Sequence, residues 1–144
     1  MLSSSGWFFW AAMSAVFAAA TAIFAKVGLE GVDSDLATLI RVVLIAFLLS
    51  AFVVFAGKWT NPFLLPRRTW AFLALSALAT GASWVCYFRA LKMGNVSQVS
   101  PVDKFSLVLA AVFAFAFLGE RPLAREWAGI VLVAAGVIVL ALRR

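Results

Sequence analysis

Residues 94–106, GNVSQVSPVDKFS, decide the fold, because they place a proline, an aspartate and a lysine at the head of an unbroken apolar run. A charge inside a membrane-spanning segment costs about 2.5 to 3.5 kcal/mol on insertion scales, and such charges usually face a bundle interior or a water-filled cavity. Asp103 and Lys104 are therefore the first candidates for a functional site.

The composition of the whole chain indicates an integral membrane protein. Of the 144 residues, 65% are hydrophobic and 12% are charged, and the mean hydropathy is +1.07. Soluble domains are about 45 to 50% apolar and about 25% charged. The net charge is +6, but the basic residues stand singly or in pairs between apolar runs. They indicate topology signals and contacts with the lipid bilayer, not a nucleic-acid partner.

Several kinds of chemistry are absent from the sequence. It contains no histidine, so Ser/His/Asp triads and His-based metal sites are excluded. The single cysteine, Cys86, lies in an apolar run and has no partner for a disulfide within the chain. We find no nucleophile–base pair, metal cluster or phosphate loop, and we expect neither enzymatic activity, nor a metal, nor a cofactor.

Apolar runs separated by turn signals predict an all-α protein with five transmembrane helices in a single domain. The predicted helices cover residues of about 7–27, 35–56, 70–93, 97–118 and 123–142. Asp33 or Ser34 suits the N-cap of the second helix, and Pro122 suits the first position of the fifth. Residues 1–6 lack the positive charge of a secretory signal peptide, so we expect the first helix to be retained.

Two of these helices carry polar side chains at helical spacing. The stripe on the first helix consists of Trp10, Ser14, Phe17, Thr21 and Phe24. The stripe on the third consists of Ser76, Thr80, Ser83 and Tyr87, with Trp84 on its flank. The hydroxyls of the first helix form a polar stripe or bond to the carbonyl of the preceding turn. Those of the third helix line a cavity or form a packing seam between helices.

Charged side chains inside the spans complete the candidate site. Arg41 lies roughly 10 Å from the start of the second helix, where it snorkels to the interface, forms an ion pair or contacts a ligand. In the fourth helix Ser97, Pro101 and Lys104 share one face, whereas Asp103 points about 100° away. We expect Asp103 and Lys104 not to pair with each other, because adjacent helix residues do not face one another.

We therefore predict that Lys104 faces the cavity and that Asp103 pairs with Arg41 or a hydroxyl and accepts a coupling proton. Pro101 is expected in about the first turn of the helix, where its missing N–H costs least. The alternative is a helix-start cluster in contact with lipid headgroups.

The basic residues do not decide the orientation of the chain. The first side would carry Lys58, Arg67, Arg68, Arg121 and Arg125. The second would carry Lys26, Arg89, Lys92, Arg143 and Arg144. Because the counts are equal, the positive-inside rule favours neither orientation, and we predict that two copies pair antiparallel. Alternatively, a partner chain or individual loops set the orientation.

Several segments, taken in order, resemble the EamA domain of the drug/metabolite transporter superfamily. They are AKVGLE (25–30), LATLIR (36–41), ALKMG (90–94), VSPVDKFS (99–106), LGER (118–121) and WAG (127–129). Most members of that family carry two five-helix units in inverted orientation around a cavity lined mainly by the first, third and fourth helices. This chain has one unit and is similar to the short members that act as dimers, an architecture of inverted repeats.

The resemblance implies a transporter of a small organic metabolite in a bacterial or archaeal cytoplasmic membrane, working by alternating access with proton coupling or exchange. By position, Lys104 corresponds to a substrate-contacting lysine of related nucleotide-sugar and phosphate-ester carriers. The first helix lacks the acid of the small multidrug exporters, which disfavours their mechanism. Alternatively, the chain is a non-transporting subunit or a lipid-carrier flippase component that pairs with another chain. The candidate substrate-binding residues are Trp10, Ser14, Thr21, Arg41, Thr80, Ser83, Trp84, Tyr87, Asp103 and Lys104.

Overall fold

A computed structural model describes residues 6–142, and every regular element in that range is helical. The helices are α1 (Gly6–Gly28), α2 (Ser34–Phe55), α3 (Arg67–Met93), α4 (Val96–Asp103), α5 (Phe105–Phe113) and α6 (Ala124–Ala141). A 3₁₀ turn at Pro62–Leu64 precedes α3, and a π-helical segment at Ala114–Leu118 continues α5. Residues 1–5 and the cations Arg143 and Arg144, which entered the sequence predictions, lie outside this range.

The predicted five spans are confirmed. Within residues 6–142, five helical stretches are long and apolar enough to cross a membrane. They are α1, α2, α3, the stretch Val96–Leu118 that contains α4 and α5, and α6. Most of their large apolar side chains are exposed in the isolated chain. Contiguous apolar surface of this extent is rare on soluble monomers, and lipid is the solvent that suits it.

Local capping decides where the second helix begins and ends. The Asp33 carboxylate accepts hydrogen bonds from the backbone N–H groups of Asp35 at 2.9 Å and Leu36 at 3.1 Å, so the predicted cap is confirmed. At the other end Gly57 adopts a left-handed φ of 64°. This lets the Lys58 N–H reach the Val53 carbonyl at 3.0 Å and closes the helix.

Two predicted helix starts are corrected. The third helix begins at Arg67, not at Trp70, because the Trp70 N–H already bonds back to the Pro66 carbonyl at 3.2 Å. The last helix begins at Ala124, and Pro122 therefore lies outside its first turn. Its start is set by the Glu126 carboxylate, which accepts from the N–H of the N-cap Leu123 at 2.6 Å.

The fourth span is not one continuous helix as predicted, because it is interrupted at Lys104. Pro101 is inside α4, at its sixth residue, and not in the first turn. It has no N–H to offer the Ser97 carbonyl, and its ring crowds that oxygen. The Lys104 N–H instead bonds to the Pro101 carbonyl three residues back, at 3.1 Å. We attribute the interruption to Pro101, the usual cause of such kinks.

The chain packs as two units. Residues 6–22 and 94–142 form the first, and residues 23–93 form the second. In the first, α6 packs against α4 and α5, and the Trp127 ring meets the Phe115 ring edge-on at 6.0 Å. In the second, α2 packs against α3. The fully buried Leu91 and the 2% exposed Phe88 mark its best-packed region, near the end of α3.

Candidate functional site

Arg41 is held against aromatic rings of the neighbouring helix. Its guanidinium carbon lies 4.5 Å from the centroid of Trp84 and 5.2 Å from that of Phe88. The two rings are four residues apart on α3, so they lie on one face, and that face meets α2. A cation over such rings gains about 0.5 to 1 kcal/mol when exposed and about 2 when desolvated. The sequence singled out Arg41 and Trp84 but not Phe88.

An ion pair joins the same two helices closer to their ends. Arg89 donates from Nε to Asp35 Oδ1 at 3.0 Å and from Nη2 to Asp35 Oδ2 at 2.6 Å. The pair is bidentate, the geometry in which arginine and carboxylate match best. Because Asp35 is near the start of α2 and Arg89 near the end of α3, the two helices run antiparallel. From the sequence, Arg89 was expected as a topology signal and as a cation suited to the end of the third helix, and its pairing with Asp35 was not predicted.

Two lysines complete the polar cluster at this end of the second unit. Lys26 Nζ donates to the Leu91 carbonyl at 2.6 Å, and Lys92 Nζ donates to the Val32 carbonyl at 2.6 Å. Each lysine therefore links two segments that are far apart in the sequence, by 65 residues for Lys26 and 60 residues for Lys92. These bonds tie the end of α3 to the end of α1 and to the turn before α2.

The hydroxyl face of α3 is open. Ser76, Thr80 and Ser83 are exposed, and Tyr87 is half-buried. Within residues 6–142 none of the four donates a side-chain hydrogen bond, whereas the buried Thr38 donates to the Ser34 carbonyl at 2.8 Å. Back-bonding to the preceding turn therefore occurs at Thr38 and, within residues 6–142, at none of these four residues of α3.

On α1 the polar candidates are also open or only partly covered. Trp10 is 72% exposed, Ser14 is exposed and Thr21 is half-buried. In the described part of the chain neither Ser14 nor Thr21 forms a hydrogen bond through its hydroxyl. A role of this stripe in binding a solute stays a prediction.

The expectation that Asp103 and Lys104 avoid each other is wrong. Lys104 Nζ donates to Asp103 Oδ2 at 3.2 Å. The helical geometry behind the expectation does not apply, because the helix stops between them and Lys104 has a ψ of −7°. The Arg41 guanidinium, considered as a partner of Asp103, contacts aromatic rings of its own unit. That Lys104 faces a substrate cavity stays a prediction.

The structure thus sorts the candidates into two groups. Residues Arg41, Thr80, Ser83, Trp84 and Tyr87 belong to the second unit, where Arg41 and Trp84 are in contact. Residues Trp10, Ser14, Thr21, Asp103 and Lys104 belong to the first, where Asp103 and Lys104 are in contact.

Comparison with known proteins gives the family. The chain matches the EamA-like transporter family over residues 5–142. It is 53% identical to an uncharacterized transporter in the cobO 3′ region of Sinorhizobium sp over 138 residues, which are 96% of this chain and 98% of that protein.

A second likeness is weaker. The chain is 26% identical over 72 residues to the probable 4-amino-4-deoxy-L-arabinose-phosphoundecaprenol flippase subunit ArnE of Yersinia pestis (strain Pestoides F), covering 50% of this chain and 63% of that protein. No solved structure matches the chain significantly. Since the family match spans all five candidate membrane helices, the chain is a multi-pass membrane protein and belongs to the EamA-like transporter family.

Proposed function

We propose that this protein carries a small organic metabolite across a bacterial or archaeal cytoplasmic membrane by alternating access, as an antiparallel dimer, with proton coupling or exchange. Membership of a transporter family supports transport as such. The observation that carries the proposal is the open hydroxyl face of α3, which runs past Trp84, the residue whose ring holds Arg41.

This face needs a polar surrounding. Ser76, Thr80 and Ser83 lie well inside a candidate membrane span, are exposed in the single chain and have no side-chain hydrogen bond within residues 6–142. Lipid tails offer no hydrogen-bonding partner. Polar groups at this depth of a transporter usually face a water-filled cavity, which forms between repeated units. A solute pathway beside α3 supplies what the hydroxyls lack.

A dimer supplies the second unit. The Sinorhizobium relative is covered over 98% of its length by 138 aligned residues, so that protein has about the length of one five-helix unit. On α6, a Cβ added at Gly129 or Gly136 meets no atom within 4 Å in the described chain. Small residues seven apart allow a helix of a second chain to approach closely. The equal counts of basic residues on the two sides support an antiparallel arrangement.

The test is solute transport by the purified protein in liposomes. A thermal-unfolding screen of metabolites first identifies a ligand, since a bound ligand stabilises by mass action. We expect the variant T80V/S83A to lower the transport rate of that ligand, because both hydroxyls are removed with little change of shape. Ser50→Ala is the matched control, since Ser50 is an exposed hydroxyl on α2 outside this face. An unchanged rate in T80V/S83A contradicts the assignment of the face.

Orientation is tested separately. A tag at the C-terminus is expected on both sides of the membrane if two copies insert in opposite senses. A tag found on one side only refutes the antiparallel homodimer and leaves the transport proposal standing.

The second candidate function is that of a subunit that does not transport by itself, such as a component of a lipid-carrier flippase. It is favoured by the likeness to the flippase subunit ArnE over half of the chain. Purification in a fixed ratio with a different membrane protein, together with inactivity of the chain alone, supports this alternative. A homodimer that moves solute by itself refutes it.

A further inference from the structure

We infer that Arg41, held on the rings of Trp84 and Phe88, binds an acidic group of the transported solute, either a carboxylate or a phosphate. The inference rests on the proposed function and specifies its substrate class. It is carried by three features of the second unit: the depth of Arg41, the absence of a counter-ion, and the aromatic support that fixes the guanidinium.

Arg41 lies below an ion pair that is already complete. Along α2 it is six residues beyond Asp35, which is about 9 Å deeper at 1.5 Å per residue. On α3 its partner Trp84 is five residues deeper than Arg89. On both helices the Asp35–Arg89 ion pair therefore lies nearer to the helix end than the Arg41–Trp84 contact. Since both carboxylate oxygens of Asp35 accept from Arg89, Asp35 does not neutralise Arg41.

Within residues 6–142, none of the other acids forms an ion pair with Arg41. Residues 23–93 contain three acids, of which Asp33 caps α2 and Glu30 lies in the turn after α1. Asp103, the acid inside a span of the other unit, accepts from Lys104. No residue in 6–142 accepts a hydrogen bond from the Arg41 guanidinium. Among residues 6–142, Arg41 therefore has no ion-pair partner, although it lies about two turns inside a span.

The ring contacts leave the hydrogen-bonding edge of Arg41 unused. An aromatic face attracts the cation but does not satisfy the five N–H donors, which lie in the guanidinium plane. That plane matches the paired oxygens of a carboxylate or phosphate. Unpaired donors and an unpaired charge in an apolar region are costly, and an anionic ligand removes both costs.

Neighbouring side chains indicate the rest of the ligand. The hydroxyls of Ser83 and Tyr87 flank Trp84 on α3 and are neutral hydrogen-bonding groups. The site therefore suits a small organic acid or phosphate ester with an uncharged polar remainder. A phospholipid headgroup presents the same phosphate chemistry, since arginine side chains can snorkel to the interface, and the experiment must separate the two sources.

The test is ligand-dependent thermal unfolding of the purified full chain in an uncharged maltoside detergent. The probes are benzoate and glycerol 3-phosphate, each paired with its neutral counterpart, benzamide and glycerol. In the native protein we expect at least one anion to raise the melting temperature in a saturable way and neither neutral compound to do so. Arg41→Gln is expected to abolish this shift, and Arg41→Lys to weaken the apparent affinity about tenfold, because lysine lacks the bidentate fork.

Arg125→Gln is the matched control, because Arg125 is an exposed arginine in the first turn of α6 and lies outside the candidate site. It removes the same charge from the protein and is expected to retain the native response. Trp84→Phe keeps a ring under the cation and guards against loss of folding in Arg41→Gln. We expect it to bind the same anions more weakly.

The remaining outcomes either overturn the inference or separate it from the proposed transport. Equal shifts in the native protein and Arg41→Gln show that the anion binds elsewhere, and the absence of a shift with both anions shows that Arg41 is not an anion site. A response confined to micelles containing phosphatidylglycerol assigns Arg41 to a lipid headgroup. Anion binding through Arg41 without solute movement in liposomes upholds the site and refutes transport. Transport of a neutral or cationic solute that is unchanged in Arg41→Gln upholds transport and refutes the anion site.

Discussion

The contact between Arg41 and Trp84 makes a quantitative prediction through a double-mutant cycle. The cycle compares Arg41→Met, Trp84→Leu and the double variant with the native protein. At 4.5 Å from the ring and half-buried, the cation lies between the exposed and desolvated cases, so we expect a coupling of about 1 kcal/mol. That is roughly a fivefold change in the unfolding equilibrium constant. Phe88, at 5.2 Å, should couple less strongly, at about 0.5 kcal/mol.

The assay is reversible unfolding in mixed micelles of dodecyl sulfate and maltoside, followed by far-ultraviolet circular dichroism because Trp84→Leu alters the fluorescence. The chain contains its own control, Arg68 over Phe72 at 5.8 Å in the exposed first turns of α3. This pair should couple by no more than about 0.5 kcal/mol. Additivity of Arg41→Met and Trp84→Leu to within about 0.3 kcal/mol would refute the reasoning, as would an equal coupling in the control pair.

Three further changes test other parts of the structure. Asp33→Ala should destabilise the protein by about 1 kcal/mol in the same unfolding assay, and Asp33→Ser should restore most of the loss, because a serine also caps; equal stability of Asp33→Ala and the native protein contradicts the cap. Asp35→Arg and Arg89→Asp should each lower the yield of monodisperse protein, and the double reversal should recover it; a double variant as poor as the single ones argues against the pair. Gly136→Ile should leave the helix content unchanged and lower the dimer fraction measured by cross-linking, since its Cβ meets open space within the chain; an unchanged dimer fraction places the interface elsewhere.

Short-range features were accessible from the sequence. Five apolar runs indicated the five spans, since each needs only about 20 apolar residues in succession. The cap at Asp33 was also predicted, because a cap depends on a carboxylate and the next three residues. The third helix start was missed by three residues, because the two arginines that follow Pro66 resemble a loop in sequence but already belong to the first turn of the helix.

The sequence-based predictions failed where a side chain's partner depends on whether the helix is regular or on a residue far away in the sequence. The interruption at Lys104 invalidated the argument that kept Asp103 and Lys104 apart, because that argument assumed an unbroken helix. Pro101 within an apolar run was the available signal of the interruption. Composition alone did not determine that Pro101 lies in the second turn of α4.

By itself, the sequence determined the membrane class, the number of spans and the identity of the charged residues within them, because hydropathy and local capping act over a few neighbouring residues. Only the tertiary structure decided which charges are paired. Asp35 meets Arg89 across 54 residues of chain, and Arg41 meets Trp84 and Phe88, since α2 and α3 pack antiparallel in one register. That register gives Asp35 its counter-ion and gives Arg41 only aromatic rings. This packing therefore leaves Arg41 and the hydroxyls on α3 without hydrogen-bond partners within residues 6–142.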